Sequence, residues 1–100
     1  MVINVLDHVE RCYSNADGEV ILSLIQPLLF RGNRVTVSFA GVDSVPSSFV
    51  NSAFIPLLED FSFDFIRKHL HFSNSTKQIN QMIKGRFEFE VNERHQLETV

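Results

Sequence analysis

The sequence has a single cysteine, no long apolar run and no excess of basic residues. The lone Cys12 cannot form a disulfide within the chain, and with only Arg11 beside it we expect a buried or inert thiol rather than a reactive one. No apolar run approaches the roughly 20 residues needed to span a bilayer. The N-terminus lacks a basic stretch followed by an apolar run, so no signal peptide is predicted and the cytoplasm is the expected compartment.

The net charge argues against a protein that binds nucleic acid or a membrane. A formal charge of −3 provides no broad basic surface for nucleic acid, so neither nucleic acid nor a membrane is an expected partner. No glycine-rich phosphate loop, paired carboxylates or Ser/His/Asp order stands out, and no cofactor is predicted. With 44% hydrophobic and 21% charged residues, residues 1–100 are expected to form one globular domain, with residues 92–100 as a flexible tail.

Hydrophobic periodicity predicts the first half of the chain. "MVINVLDHV" alternates like a strand, and "RVTVSFAG" alternates like a central strand. Asp17-Gly18 would suit a hairpin, but a helical stripe favours a helix capped by Ser14 or Asn15, disturbed at Pro27 and stopped by Gly32-Asn33. The stripe consists of Ile21, Leu24, Ile25, Leu28 and Leu29.

The second half is expected to continue the alternation. A helix is predicted from Ser47 to Glu59, with Ser47 as its N-cap and a distortion at Pro56, and "FSFDFIRKH" extends it after a break. "LHFSN" is predicted as a strand, "STKQINQMIKG" as a helix that stops at glycine, and "RFEFEV" as an edge strand. The expected fold is a small α/β domain with a four-stranded, mostly parallel or mixed sheet and three helices.

Three stretches then carry a family resemblance: "GEVILSLIQPLL", "VTVSFAGVDSVPSSFVNSAFIPLL" and "LHFSNSTKQINQMI". Over roughly residues 14–85 the chain resembles the STAS-like family of bacterial and phage proteins, a domain of unknown function. The resemblance implies a fold similar to that of the anti-sigma factor antagonists. In those proteins a phosphorylatable serine begins the helix after a strand, in a turn that reads Asp-Ser-Ser-Gly.

"PSSF" occupies that turn here, and Ser47 stands at the place of the phosphorylated residue. Pro46 replaces the acidic residue and Phe49 replaces the glycine, which weakens the case for phosphorylation by a partner kinase. Ser38 stands where the strand of the family usually ends in Asp. The candidate residues for partner binding or phosphorylation are Asp43, Ser44, Pro46, Ser47, Ser48, Phe49 and Asn51.

Two interpretations of Ser47 stay open. A serine at a helix start accepts a hydrogen bond from an exposed amide, and capping alone would explain it. Alternatively, the hydroxyls at this helix start form the centre of a partner-binding surface, where an added phosphate would suit the helix dipole. His69 and His71, on one face of the presumed strand, are a weak metal candidate because two ligands are too few for a stable zinc centre.

The expected function is that of a non-catalytic regulatory or protein-interaction module that uses residues 43–54. Its partner would be a protein, such as the kinase-like ATPase that the anti-sigma resemblance implies. The alternatives are a phage-type inhibitor that also acts by surface binding, and a ligand-binding domain or small enzyme at the sheet edge near Asp43 and Ser47. The lack of a general base with an evident partner favours the module over an enzyme.

Overall fold

The computed structural model describes the backbone of residues 1–98 and the side chains of residues 1–93. In this part of the chain, three parallel strands and five helices form a small α/β domain. The elements in chain order are β1 (Val2–Asn4), α1 (Asn15–Phe30), β2 (Val35–Ser38), α2 (Ser47–Ala53), α3 (Leu57–Asp60), α4 (Phe63–His69), β3 (Leu70–Ser73) and α5 (Lys77–Glu98). None of the described helices is long and apolar enough to cross a membrane.

The strand β2 is central, as predicted, and pairs in parallel with β1 on one side and β3 on the other. Because the strand order follows the chain order, right-handed crossovers bring α1 and α2 to the same face of the sheet. Val35, Val37 and Phe39 point to that face and are completely buried. The carboxyl ends of all three strands meet at one edge, next to the start of α2.

The opposite face of the sheet is open to solvent around Thr36, whereas Ser38 at the end of β2 is covered. Thr36 lies in register with Val2 and His71, and it is half-buried between these two exposed neighbours. The alternation of β2 therefore separates a core face from a solvent-facing one, which is the pattern of a two-layer domain.

The predicted fourth strand does not form. "RFEFEV", residues 86–91, lies within α5, so the described sheet has three strands rather than four. Ile79, Ile83 and Phe87 follow one another at helical spacing and are at most 4% exposed. Residues 86–91 alternate like a strand in sequence, but they are helical because this stripe buries three large side chains on one side of α5.

Gly85 was predicted to stop this helix, and that prediction is wrong. The glycine is not in the left-handed conformation, and the helix continues past it. Ion pairs one turn apart, Lys84 with Glu88 and Arg86 with Glu90, support the helix beyond the glycine. The predicted tail, residues 92–100, is helical as far as Glu98, and residues 99 and 100 lie outside the described part.

Other boundaries also differ from the sequence expectations. Only Val2–Asn4 of "MVINVLDHV" is a strand, because the chain turns into a short 3-10 helix at Val5–Asp7. The helix α1 forms as predicted and is not interrupted at Pro27. The helix predicted from Ser47 to Glu59 divides into α2 and α3, and α3 begins directly after Pro56.

The helices α1 and α2 approach each other closely at Gly18. A Cβ atom on Gly18 would lie 2.7 Å from the carbonyl oxygen of Phe49 and 2.7 Å from Cβ of Ser52. Ser48 Oγ also donates to the carbonyl oxygen of Tyr13 at 3.2 Å, at the entrance of α1. The absence of a side chain at Gly18 therefore lets α1 fix the position of α2.

Candidate functional site: the loop between β2 and α2

The chain that leaves the central strand forms the β2–α2 loop, residues 39–46. It begins with a tight turn in which the amide of Val42 donates to the carbonyl oxygen of Phe39 at 2.9 Å. Gly41 has φ +85°, a conformation that favours glycine, and a Cβ there would lie 2.9 Å from Cδ1 of Leu6. The turn therefore rests on the segment that follows β1.

The start of α5 holds the second half of this loop. The side-chain amide of Gln78 donates from Nε2 to the carbonyl oxygen of Val45 and accepts at Oε1 from its amide, both at 3.0 Å. Thr76 Oγ1 donates to the carbonyl oxygen of Asp43 at 2.7 Å and accepts from the amide of Ile79 at 3.3 Å. The backbone of the loop is thus fixed from behind while its polar side chains face solvent.

Ser38 ends the central strand beneath this loop and is only 2% exposed. Its Oγ accepts from Nδ2 of Asn74 at 2.9 Å and from the amide of Ala40 at 3.4 Å. Asn74 has φ +52°, in the left-handed region that asparagine tolerates. A carboxylate at this buried position would need a charged partner, whereas these two hydrogen bonds satisfy the neutral hydroxyl.

The seven residues predicted from the sequence do not all lie on one surface. Four are exposed, namely Asp43, Ser44, Ser47 and Asn51. Pro46 and Ser48 are half-buried, and Phe49 is completely buried.

Two of these residues have a role in packing. The ring of Phe49 lies edge-on to the rings of Phe39 and Phe54, with centroid distances of 6.5 and 6.2 Å. Phe49 is therefore a core residue and cannot contact a partner directly. Asn51 Oδ1 accepts from Nε of Arg86 at 2.7 Å, which joins α2 to α5.

The prediction that Ser47 caps α2 is wrong. The N-cap residue is Pro46, whose extended backbone suits that position and whose carbonyl oxygen accepts from the amide of Val50 at 3.4 Å. Ser47 is the first helical residue, and no side-chain cap bond is present. Its exposed hydroxyl makes no hydrogen bond to any described residue, so capping does not explain it.

The exposed surface continues from the loop to the segment before α1. A cleft of about 240 Å³ lies between the two segments and is lined by Glu10, Arg11, Tyr13, Asp43 and Ser44. Tyr13 is 65% exposed, and the guanidinium carbon of Arg11 lies 5.8 Å from the centre of its ring. Sequence reasoning missed Tyr13, because the only signal was an aromatic residue in an otherwise polar loop.

Cys12 also lines this cleft but is only 4% exposed. Burial, with a smaller effect of the Asp17 carboxylate, raises the pKa of the thiol to about 11. A thiol with this pKa is protonated near neutrality and is a poor nucleophile. The prediction of a buried and inert thiol therefore agrees with the structure.

The two histidines of the metal candidate do not share a strand face. His69 ends α4, and its Nδ1 lies 2.9 Å from the carbonyl oxygen of Phe65. His71 is in β3, and its Nε2 lies 3.1 Å from the carbonyl oxygen of Lys68. Among the residues with described side chains, no group of three or more His, Cys, Asp and Glu side chains could hold a metal ion.

The parallel sheet, the helices on one of its faces and the loop held at its carboxyl edge together define a small α/β domain of the STAS-like type. The chain belongs to the family described as a STAS-like domain of unknown function, whose model matches residues 4–80. No curated protein and no solved structure is similar enough to count as a match. The match ends shortly after the start of α5, so most of this helix lies outside it.

Proposed function

We propose that this domain is a non-catalytic regulatory module that binds a protein partner through the β2–α2 loop and the first residue of α2. The observation that carries the proposal is the fixed backbone of the loop. Gln78 and Thr76 bind Val45 and Asp43 from the protein side, while Ser44 and Ser47 stay exposed. A loop that is already ordered loses little conformational entropy on binding.

The segment before α1 extends this surface and contributes Tyr13, a residue well suited to bind a protein partner. Tyr13 is exposed beside the cleft that Asp43 and Ser44 line. Tyrosine is enriched at the centres of interfaces because it offers a large apolar ring with a polar end at a small entropic cost. We expect Tyr13 to contribute more binding energy than any single serine of the loop.

The proposed partner is a kinase-like ATPase of the anti-sigma type, by analogy with the anti-sigma factor antagonists. The free hydroxyl of Ser47 supports this choice, because it is accessible to a kinase and makes no structural hydrogen bond to a described residue. A phosphate there would lie at the positive end of α2 but would place about two negative charges in the centre of the surface. Phosphorylation would thus switch binding without unfolding the helix.

The chemistry of the cleft favours binding over catalysis. The thiol of Cys12 is buried and its pKa is raised, and both His69 and His71 belong to the α4–β3 segment rather than to the cleft. Among the described residues that line the cleft with Asp43 and Ser44, there is no histidine, and the thiol of Cys12 is protonated, so neither a histidine base nor a thiolate nucleophile is present there.

The test is a quantitative pull-down from the native host, followed by a binding titration with the protein recovered. Tyr13→Ala and Ser44→Lys should each weaken binding at least tenfold. Asn92→Lys, which adds the same charge on an exposed part of α5, should bind like the wild type. A partner that binds all four proteins equally would place the interface elsewhere and contradict the proposal.

A further inference from the structure

A second concave surface lies between α4, β3 and α5, and it shares no lining residue with the cleft beside Tyr13. This α4–α5 groove has a volume of about 470 Å³. Its apolar lining consists of Phe63, Ile66, Leu70, Phe72, Ile83 and Phe87. The volume lies within the range of small-molecule sites, which are mostly apolar with a few polar groups at the rim.

The aromatic rings give the groove a defined shape. The rings of Phe63 and Phe87 have centroids 5.5 Å apart, so they join α4 to α5. The ring of Phe72 packs edge-on against Phe54 at 5.2 Å on its core side. Phe63 and Phe72 nevertheless stay half-buried, whereas Ile66 and Ile83 are at most 4% exposed. The groove therefore retains accessible aromatic surface that the described side chains do not cover.

Two cations stand on opposite sides of this groove, Arg67 on α4 and Lys84 on α5. Their side chains are 64% and 78% exposed. Lys84 has only a loose pairing, because its Nζ lies 4.0 Å from the carboxylate of Glu88. Both groups can therefore turn towards a ligand without breaking a buried interaction.

The charges around the groove do not cancel. Asp64 forms ion pairs with Arg67 and with Lys68, both at 3.1 Å, so one negative charge is shared by two positive charges. Among the residues that line the groove, the two cations Arg67 and Lys84 accompany a single carboxylate, Glu88, in a chain whose formal charge is −3. An anionic group attached to an apolar body would match this arrangement.

We propose that the α4–α5 groove binds a small organic anion, an aromatic or aliphatic carboxylate whose apolar part lies on Phe63 and Phe72 and whose charge lies between Arg67 and Lys84. Apart from Asn80, the residues of α5 that line the groove lie beyond residue 80, outside the family match. This inference is independent of the proposed function, because it concerns a different surface.

The experiment uses 2-naphthoate as the probe, titrated into ¹⁵N-labelled protein and followed by amide chemical shifts. We expect saturable shifts within residues 63–72 and 80–88. 2-Naphthalenemethanol, a neutral compound with the same ring, should bind at least fivefold more weakly. Arg67→Gln and Lys84→Gln should each weaken naphthoate binding by about threefold to fivefold, as expected for an exposed ion pair. Lys77→Gln, an exposed lysine of α5 outside the groove, should change nothing.

Several results would overturn the proposal. These are a lack of saturable shifts at millimolar naphthoate, equal binding of the neutral compound, or equal effects of Lys84→Gln and Lys77→Gln. The molecular mass of the protein in the same buffer gives a further test, because it shows whether the protein is a monomer or a dimer. A dimer whose groove amides are protected would show that a second copy occupies the groove instead. Shifts confined to the β2–α2 loop would place the ligand at the other surface.

Discussion

The side-chain amide of Gln78 binds both backbone groups of Val45, as a neighbouring strand would. Both hydrogen bonds measure 3.0 Å, and Val45 is only 2% exposed. Val45 is therefore tied by an exposed residue, and this contact joins the β2–α2 loop to a side chain of α5.

The first prediction follows from this contact. Gln78→Ala should lower the free energy of unfolding by about 1–2 kcal/mol, because it leaves a buried amide and carbonyl unsatisfied. The amide of Val45 should also exchange with solvent faster, as measured by hydrogen exchange. Gln81→Ala, at an exposed position on the same helix, serves as the control and should change neither quantity. Unchanged protection of Val45 in Gln78→Ala would show that the loop is held without Gln78.

Two glycines in helices are predicted to respond in opposite ways to alanine. Gly18→Ala would force the new methyl group against the backbone of α2, 2.7 Å from the carbonyl oxygen of Phe49, and should cost about 2 kcal/mol. Gly85→Ala meets open space within α5 and should stabilise the protein by about 0.5–1 kcal/mol. Thermal melting of both variants tests this contrast. A neutral or stabilising effect of Gly18→Ala would mean that α1 and α2 do not approach closely at Gly18, and a destabilising effect of Gly85→Ala would contradict the prediction for α5.

The sequence was sufficient to predict the order of most elements, because their hydrophobic periodicity is local. It was not sufficient for residues 86–91. Phe87 and Phe89 alternate with Glu88 and Glu90 like a strand, whereas the helical stripe that includes Phe87 depends on packing against the rest of the domain. The sheet therefore has three strands among the described residues, and the face that carries Thr36 is open.

For the candidate site as well, local features could be predicted from the sequence, whereas contacts between distant residues could not. The loop after β2 could be located from its turn residues, and Ser44 and Ser47 are exposed as a surface site requires. Gln78 and Thr76 could not be identified, because each lies 33 residues from the loop residue that it binds. Whether Ser47 is the cap or the first helical residue depends on a shift of one position, which propensity alone does not resolve.

The buried thiol should make stability fall at alkaline pH. The pKa of Cys12 is raised from 9.0 to about 11, so the unfolded chain loses this proton first. The stabilisation is complete below pH 9 and is lost as the pH rises towards 11, by about 2 kcal/mol. Denaturant unfolding from pH 8 to pH 11 measures this loss. Cys12→Ala supplies the control, because the part of the alkaline decline that is due to the thiol should be absent. An identical decline in both proteins would exclude Cys12 as its source.

The last prediction separates two of the serines that stand at helix starts, Ser14 and Ser47. Ser14 is a true N-cap, since its Oγ accepts from the amide of Asp17 at 3.2 Å while the Asp17 carboxylate accepts from the amide of Ser14 at 2.9 Å. Ser14→Ala should therefore cost about 1 kcal/mol. Ser47 makes no such bond, so Ser47→Ala should leave the melting temperature unchanged, and Ser47→Asp should be neutral or slightly stabilising at the positive end of α2.

The effects of these substitutions on partner binding should follow the opposite order from their effects on stability. Ser14→Ala should bind the recovered partner like the wild type, because it leaves the exposed hydroxyls of the loop intact. Ser47→Asp should bind it much more weakly, since a new charge in an interface loses its water without gaining a matching group. A melting curve and a binding titration on the same preparations measure both properties. A Ser47→Asp variant that melts and binds like the wild type would remove Ser47 from the interface.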